Sequence, residues 1–242
     1  MNIIKLNAIG STNSYLKQLA ATTSLTDEVV VVATQQESGR GQQGAFWQSE
    51  AGKSLTCSLF KRFEGFPLEH QARLNFAVSL ALLDVLETYG IPKISVKWPN
   101  DIMSRQQKLA GILIENTVQR GNLTSTVVGV GLNVNEESFN ALPQATSMLL
   151  ASGQRYNLEE VLQKVATEIF KVFKEITTIK TNELKKRYEA RLFRKGIVST
   201  FEVAGVKKNG QIIGVTESGM LQVAHEDDAI ATYGLREIKL LF

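Results

Sequence analysis

The sequence predicts an α+β fold: a mixed, largely antiparallel central sheet flanked by helices, followed by a small C-terminal SH3-like β-barrel. Three observations carry this. Strand-like runs at 93–98, 109–116 and 123–134 follow one another through short joints, which only antiparallel pairing permits. Long helical periods at 69–89 and 157–177 do not alternate strictly with strands, as a doubly wound fold would require. From Gly196 onward no helical period survives.

Taken in order, Ser11 or Thr12 is an N-cap candidate, and Tyr15, Leu16 and Leu19 follow at helical spacing, so a short helix is expected over 12–21. DEVVVVATQ (27–35) is a continuous β-branched run of the buried-strand kind, and SLTCSLFKRF (54–63) reads as another strand. Over 69–89, Ala72, Leu74, Phe76, Ala77, Leu80, Leu83 and Leu86 keep a helical period that Gly90 closes. An amphipathic helix over 157–177 opens with capping-box spacing from Asn157 to Glu160, and a second helix is expected at 181–194. Beyond it STFEVAG, QIIGVT, MLQVAH, AIATY and EIKLLF are short β segments, punctuated by Asn209-Gly210, Gly214, Ser218-Gly219 and Asp227-Asp228. The expected division is therefore 1–194 and 195–242.

Composition removes several classes of chemistry. A single cysteine, Cys57, rules out an internal disulfide, and its apolar surroundings read as core packing rather than as a nucleophile. His70 and His225 stand too far apart in sequence to suggest a zinc hydrolase. No secretory leader and no apolar stretch of about 20 residues is present, so the expected address is the cytoplasm, with no membrane partner. A net charge of +3 is too small to argue for nucleic acid. The basic run Lys185-Lys186-Arg187, Arg191, Arg194-Lys195 reads as a solvated helix face, with docking of an acidic partner as the sharper alternative.

Two motifs carry chemistry. QQESGRGQQGAFWQS (35–49) contains G-x-G-x-x-G, but a turn and a strand follow it where a dinucleotide fold needs a helix. A Walker loop ending at Gly52-Lys53-Ser54 fails too, because Trp47 stands where its first glycine belongs. What remains is a loop offering backbone N–H groups, the Arg40 guanidinium and the amides of Gln35 and Gln36, a set suited to a polar anion. The second motif is Lys97-Trp98-Pro99-Asn100-Asp101 with Lys108 seven residues on, expected to meet at one end of a hairpin. Read blandly, it is a salt-bridged turn.

Together these motifs resemble the biotin protein ligases. The matching residues are Ser11-Thr12-Asn13; Gln36, Gly39, Arg40, Gly41, Gly44 and Trp47; Lys97-Trp98-Pro99-Asn100-Asp101; Lys108-Leu109-Ala110-Gly111-Ile112-Leu113; and GVGLNVN at 129–135. Their order and spacing fit across about 1–150. The family's longer members carry an N-terminal DNA-binding domain; here the motifs begin by residue 11, so no such domain and no DNA partner are expected.

The resemblance implies a two-step reaction: biotin is activated by ATP, with Mg2+, as biotinyl-5′-AMP, then transferred to a lysine of a biotin carboxyl carrier protein. Lys108, Arg40 and Asp101 are the implied catalytic residues, Asp101 as acceptor of the incoming amine's proton. Biotin falls by resemblance to Ser11, Thr12, Asn13, Gln36, Gly39, Arg40, Gly41, Gln42, Lys108, Gly111 and Leu113. ATP and adenylate fall to Arg40, Trp47, Lys97, Asn100, Lys108 and Asn133, with no dedicated protein cage for the metal. Many members carry a basic residue where this chain has Gln42, so adenylate retention is expected to lean on Arg40 and Lys108. Members often dimerise through the central sheet, which makes a homodimer one further expectation. A lipoate-protein ligase and a non-catalytic biotin- or nucleotide-sensing module are the competing readings.

Overall fold

The computed structural model describes residues 1–25, 28–140, 142–226 and 229–242. Asp27, at the head of the expected first strand, and the Asp227-Asp228 turn lie outside the described residues. The chain opens with a strand the sequence pattern did not reveal, β1 (Asn2–Ile9), then α1 (Thr12–Thr22) and β2 (Val29–Gln36). β1 pairs parallel to β2 with α1 as the crossover, the one parallel pair in the larger sheet. It escaped reading because its residues are mostly half-buried or exposed and do not alternate cleanly.

Next come β3 (Ser54–Pro67), α2 (Gln71–Thr88), β4 (Ile94–Lys97), β5 (Asp101–Ser104), β6 (Gln107–Gln119) and β7 (Asn122–Asn133). The sheet order is β1-β2-β3-β7-β6-β5-β4. Three helices complete this part: α3 (Met148–Ser152), α4 (Leu158–Glu175) and α5 (Thr181–Ala190). Asn157 caps α4 as expected, its side chain accepting from the Glu159 and Glu160 amides. Arg73 closes the other end, donating to the Ile176 and Ile179 carbonyls.

The period of two sorts the sheet into faces. Val30, Leu59, Ile112, Val128 and Val130 join α2 and α4 in the main core, while Val29, Val31, Phe60 and Val127 pack with Leu16 of α1 on the other side. That second face is only partly covered by α1, and the remainder is where the glycine-loop and lysine motifs converge.

α5 ends four residues before its expected limit of 194. Residues 191–193 leave the helix to pair with β4: the Val96 amide donates to the Arg191 carbonyl and the Phe193 amide to the Val96 carbonyl. Edge pairing in place of a last helical turn satisfies the same backbone groups. Part of the basic run is paired locally, Lys185 with Glu189 at 3.0 Å, Arg191 with Glu87 at 2.6 Å and Arg194 with Ser199 at 2.9 Å, while Lys186, Arg187 and Lys195 are exposed.

The C-terminal strands are β8 (Val198–Val203), β9 (Val206–Val215), β10 (Leu221–His225), β11 (Ile230–Tyr233) and β12 (Ile238–Leu241). They form an antiparallel sheet in the order β11-β10-β9-β8-β12. Among the described residues no pairing joins β11 to β12, so this is an open sheet and not the closed barrel expected. Closure is unnecessary because its apolar face is already covered: Phe201, Ile212, Val215, Leu221 and Val223 belong to the same core as α2 and β6. Asn209-Gly210 is not a turn either. The chain reverses at Ala204-Gly205, both at positive φ, and Gly210 lies inside β9, where a Cβ would stand 2.7 Å from Val223.

Candidate active site

Strand register lines the site up. Across the sheet, Lys97 pairs with Asp101, Asp101 with Gly111 and Gly111 with Gly131, so these four share a row on the face that α1 leaves open. The next row holds Leu113, Gly129 and Ser58. Glycines at 111, 129 and 131 turn this part of the face into a trough. A Cβ on Gly129 would stand 2.3 Å from Asn13 Oδ1, and one on Gly131 would stand 2.4 Å from the Trp47 ring.

The charged pair of lysines meets by a route other than the one expected. Met103 pairs with Lys108 near the tip of the β5–β6 hairpin, so the Lys108 backbone sits away from Lys97. Its side chain runs back along the strand to place Nζ 2.7 Å from Asp101 Oδ1, and Lys97 Nζ lies 3.9 Å from Asp101 Oδ2. Backbone bonds from Lys108 to Gln144 and Thr146 hold its base. Burial pulls the Lys97 ammonium below the ordinary lysine value against the opposing effect of Asp101; Lys108 and Lys239 push the same way as burial. The Phe242 ring lies 5.0 Å from Lys97 Nζ.

At the other end, the Thr12 amide and hydroxyl both donate to Gln36 Oε1, at 2.8 and 3.0 Å. The Ser58 hydroxyl bridges Thr12 Oγ1 (2.8 Å) and Asn13 Oδ1 (2.5 Å). Ser11 caps α1 by accepting from the Ser14 amide, which leaves its own hydroxyl hydrogen to give. The Gln36 NH2 likewise has no partner among the described residues. A bound amide or urea carbonyl is a natural acceptor for both.

The glycine loop folds over the trough. Arg40 bridges to Phe46, the Gly41 amide donates to the Ala45 carbonyl and the Trp47 amide to Gly39. A Cβ on Gly39 would stand 2.4 Å from the Trp47 carbonyl, so this turn needs glycine for close approach. The Trp47 indole lies on Gly131 and Gly111, its ring centroid 5.8 Å from Lys108 Nζ. Its Nε1 is buried with no partner, a desolvation cost that an acceptor on a ligand would remove.

Between this face and the C-terminal sheet lies a cavity of about 570 Å³, within the usual range for small-molecule sites. Ser11, Thr12, Asn13, Gln36, Arg40, Gly41, Gln42, Trp47, Lys97, Asn100, Asp101, Lys108, Gly111 and Leu113 all line it. Three expected site residues are placed differently. Gly39 is not in the lining; it shapes the glycine turn, its carbonyl accepting from the Trp47 amide. Asn133 lies outside the lining, with its amide donating to the Thr146 carbonyl at 2.9 Å. Asn100 reaches the wall, but its amide is committed to the Ile112 carbonyl at 2.6 Å, so it clamps the turn before β5. Residues to which sequence reasoning gave no role are Gly129, Arg236 in the turn before β12 and Lys239 of β12, which line the cavity, together with Ser58 and Glu115, which bond to its lining residues Thr12, Asn13 and Arg40. Gly129 stands in the GVGLNVN motif, and the period-two spacing of Gly111, Leu113 and Glu115 points to Glu115.

Fold and site together define a mixed-sheet protein whose cavity sets hydroxyl and amide donors at one end and a pair of lysines around Asp101 at the other. Residues 6–133 match the model of the Biotin/lipoate A/B protein ligase family, and the chain belongs to that family. The biotin--[acetyl-CoA-carboxylase] ligase of Paracoccus denitrificans is 29% identical over 218 residues, 87% of this chain and 89% of that protein. The ligase of that name from Mycobacterium tuberculosis is 38% identical over 143 residues, covering 58% of this chain and 52% of its own. Among solved structures, the biotin protein ligase from Aquifex aeolicus in complex with biotin and ATP matches with a TM-score of 0.81 at 26% identity, over 99% of this chain and 98% of that one.

Proposed function

We propose that this chain is an ATP-dependent biotin protein ligase, and the observation that carries it is the Lys97–Asp101–Lys108 cluster facing the glycine loop across one cavity. Joining a carboxylate to a triphosphate brings two anions together, so the site must supply positive charge and position. In the first step a biotin carboxylate oxygen bonds to the α-phosphorus of ATP and pyrophosphate leaves. In the second, the lysine amine of a carrier protein attacks the acyl carbon, its proton is lost, and AMP leaves.

Ser11 and Gln36 donate to the ureido carbonyl, while Thr12, Asn13 and Ser58 hold that end rigid. Lys108 sits between the biotin carboxylate and the α-phosphate, and Lys97 faces the outer phosphates. Asp101 keeps both ammoniums in register and is a carboxylate at hand for the incoming amine's proton. Mg2+ is read as travelling on the triphosphate, as a small hard cation that keeps most of its waters would. Residues 195–242 are read as a C-terminal domain closing the ATP end of the cavity. The acceptor is a biotin carboxyl carrier protein, and the reaction is placed in the cytoplasm; no helix among the described residues is long and apolar enough to cross a membrane.

Biotin-dependent exchange of labelled pyrophosphate into ATP tests this reading. Wild type should exchange with biotin, and Lys108→Met should fall by about a hundredfold or more, the scale of losing one electrostatic stabiliser. Exchange with lipoate alone would assign the chain to the lipoate branch; none with either would leave a binding module.

A further inference from the structure

Two side chains given substrate-binding roles, Asn13 and Arg40, are bonded to one residue with no assigned part. Glu115 lies on β6 two positions beyond Leu113, on the trough face, with its side chain 19% exposed. One carboxylate oxygen accepts from Asn13 Nδ2 at 2.9 Å and from Arg40 Nη2 at 2.6 Å, and the other accepts from Lys17 Nζ at 2.9 Å. A bare carboxylate beside a site for two anions would oppose binding. Here two cations cover it, leaving the cluster with an excess positive charge.

We propose that Glu115 is a positioning residue that parks Arg40 against the sheet and so holds the glycine loop over the trough. The base of the loop is tied to the end of β1, Glu37 and Ser38 donating to the Ile9 and Gly10 carbonyls, while beyond it the Gly41–Ala45 and Trp47–Gly39 bonds are internal to the loop. The tie to Glu115 therefore bridges loop and sheet. When an anionic substrate enters, Arg40 transfers to it, and Lys17 stays to neutralise Glu115. Through Asn13 the same carboxylate fixes the ureido end, so loop closure and biotin orientation share one anchor. That last link rests on the ligase reading; the latch itself does not.

Chymotryptic cleavage after Phe46, whose side chain is 83% exposed at the loop tip, reports loop opening in the full chain. Without ligand, Glu115→Gln should speed this cut about fivefold, the scale of exchanging a charge-assisted bond for a neutral one. Lys17→Met should leave it within twofold. Exchanging the charges, Arg40→Glu with Glu115→Arg, should restore protection while abolishing pyrophosphate exchange; a residue serving packing alone would not be rescued this way. An unchanged Phe46 rate in folded Glu115→Gln, or no rescue by the exchanged pair, overturns the proposal. Absence of exchange in wild type would sink the ligase reading and leave the proteolysis comparison valid.

Discussion

Glu115 shows how a single side chain couples folding to the site. Burial on its own would raise its carboxyl, but the bonds from Lys17, Asn13 and Arg40 outweigh that and hold it below the usual carboxylate value. A depressed folded-state value contributes stability that is present above the unfolded value and is lost as pH falls through the folded one. Glu115→Gln should therefore flatten the acid limb of the stability curve below about pH 5, read as urea midpoints against pH, while leaving its shape near neutrality unchanged. Gln42 bears on a different quantity. It lines the cavity but brings no charge, so Gln42→Arg should slow release of biotinyl-5′-AMP. Equal release rates for the two proteins would remove that idea.

At the scale of elements, the trough depends on β6 and β7 lacking side chains where α1 and the glycine loop approach. Gly131→Ala would put a methyl 2.4 Å from the Trp47 ring, and rigid neighbouring strands leave the indole as the part that moves. We expect red-shifted tryptophan emission and a biotin KM raised about tenfold, with the same change in a Trp47→Phe background giving no emission shift. The elements were largely legible in the sequence: α1, α2, α4 and most strands fall within a few residues of their expected limits because their apolar periods are strong. β1 was not legible, since a half-exposed strand shows little alternation. β5 was not either, because four residues between two turns give a period too little length. α5 was over-extended because Arg191–Phe193 is helical by composition and is claimed by the edge of β4.

For the molecule as a whole, the question is how the second sheet is held against the site. Trp98 Nε1 donates to the Gly219 carbonyl at 2.8 Å, Glu189 accepts from the Val215 amide at 3.0 Å, and Phe242 meets Phe193 edge to face beside Lys97. These contacts join the Lys97 motif and α5 to the C-terminal strands. Trp98→Phe keeps an aromatic ring but loses the pyrrole part of the indole and with it the bond, so stability should fall by about 1 kcal/mol or more. Amide exchange over 216–221 should rise, and the KM for ATP should rise more than that for biotin. Equal exchange in that hairpin would show that the bond does not couple the two sheets.

What the chain determined by itself was chemistry and local form. The residue types around Ser11, Arg40, Lys97 and Lys108 already excluded dinucleotide and Walker readings, and their order pointed to a ligase family, because motifs and apolar periods are local and survive without coordinates. What only the tertiary structure decided was which of those groups are free to act. Asn133 and Asn100 carry the same amides as Gln36, yet theirs are committed to backbone carbonyls while the Gln36 NH2 faces the cavity. Glu115, Ser58 and Gly129 enter the site through strand register. Pairing across a sheet joins residues dozens of positions apart, and no local pattern encodes it.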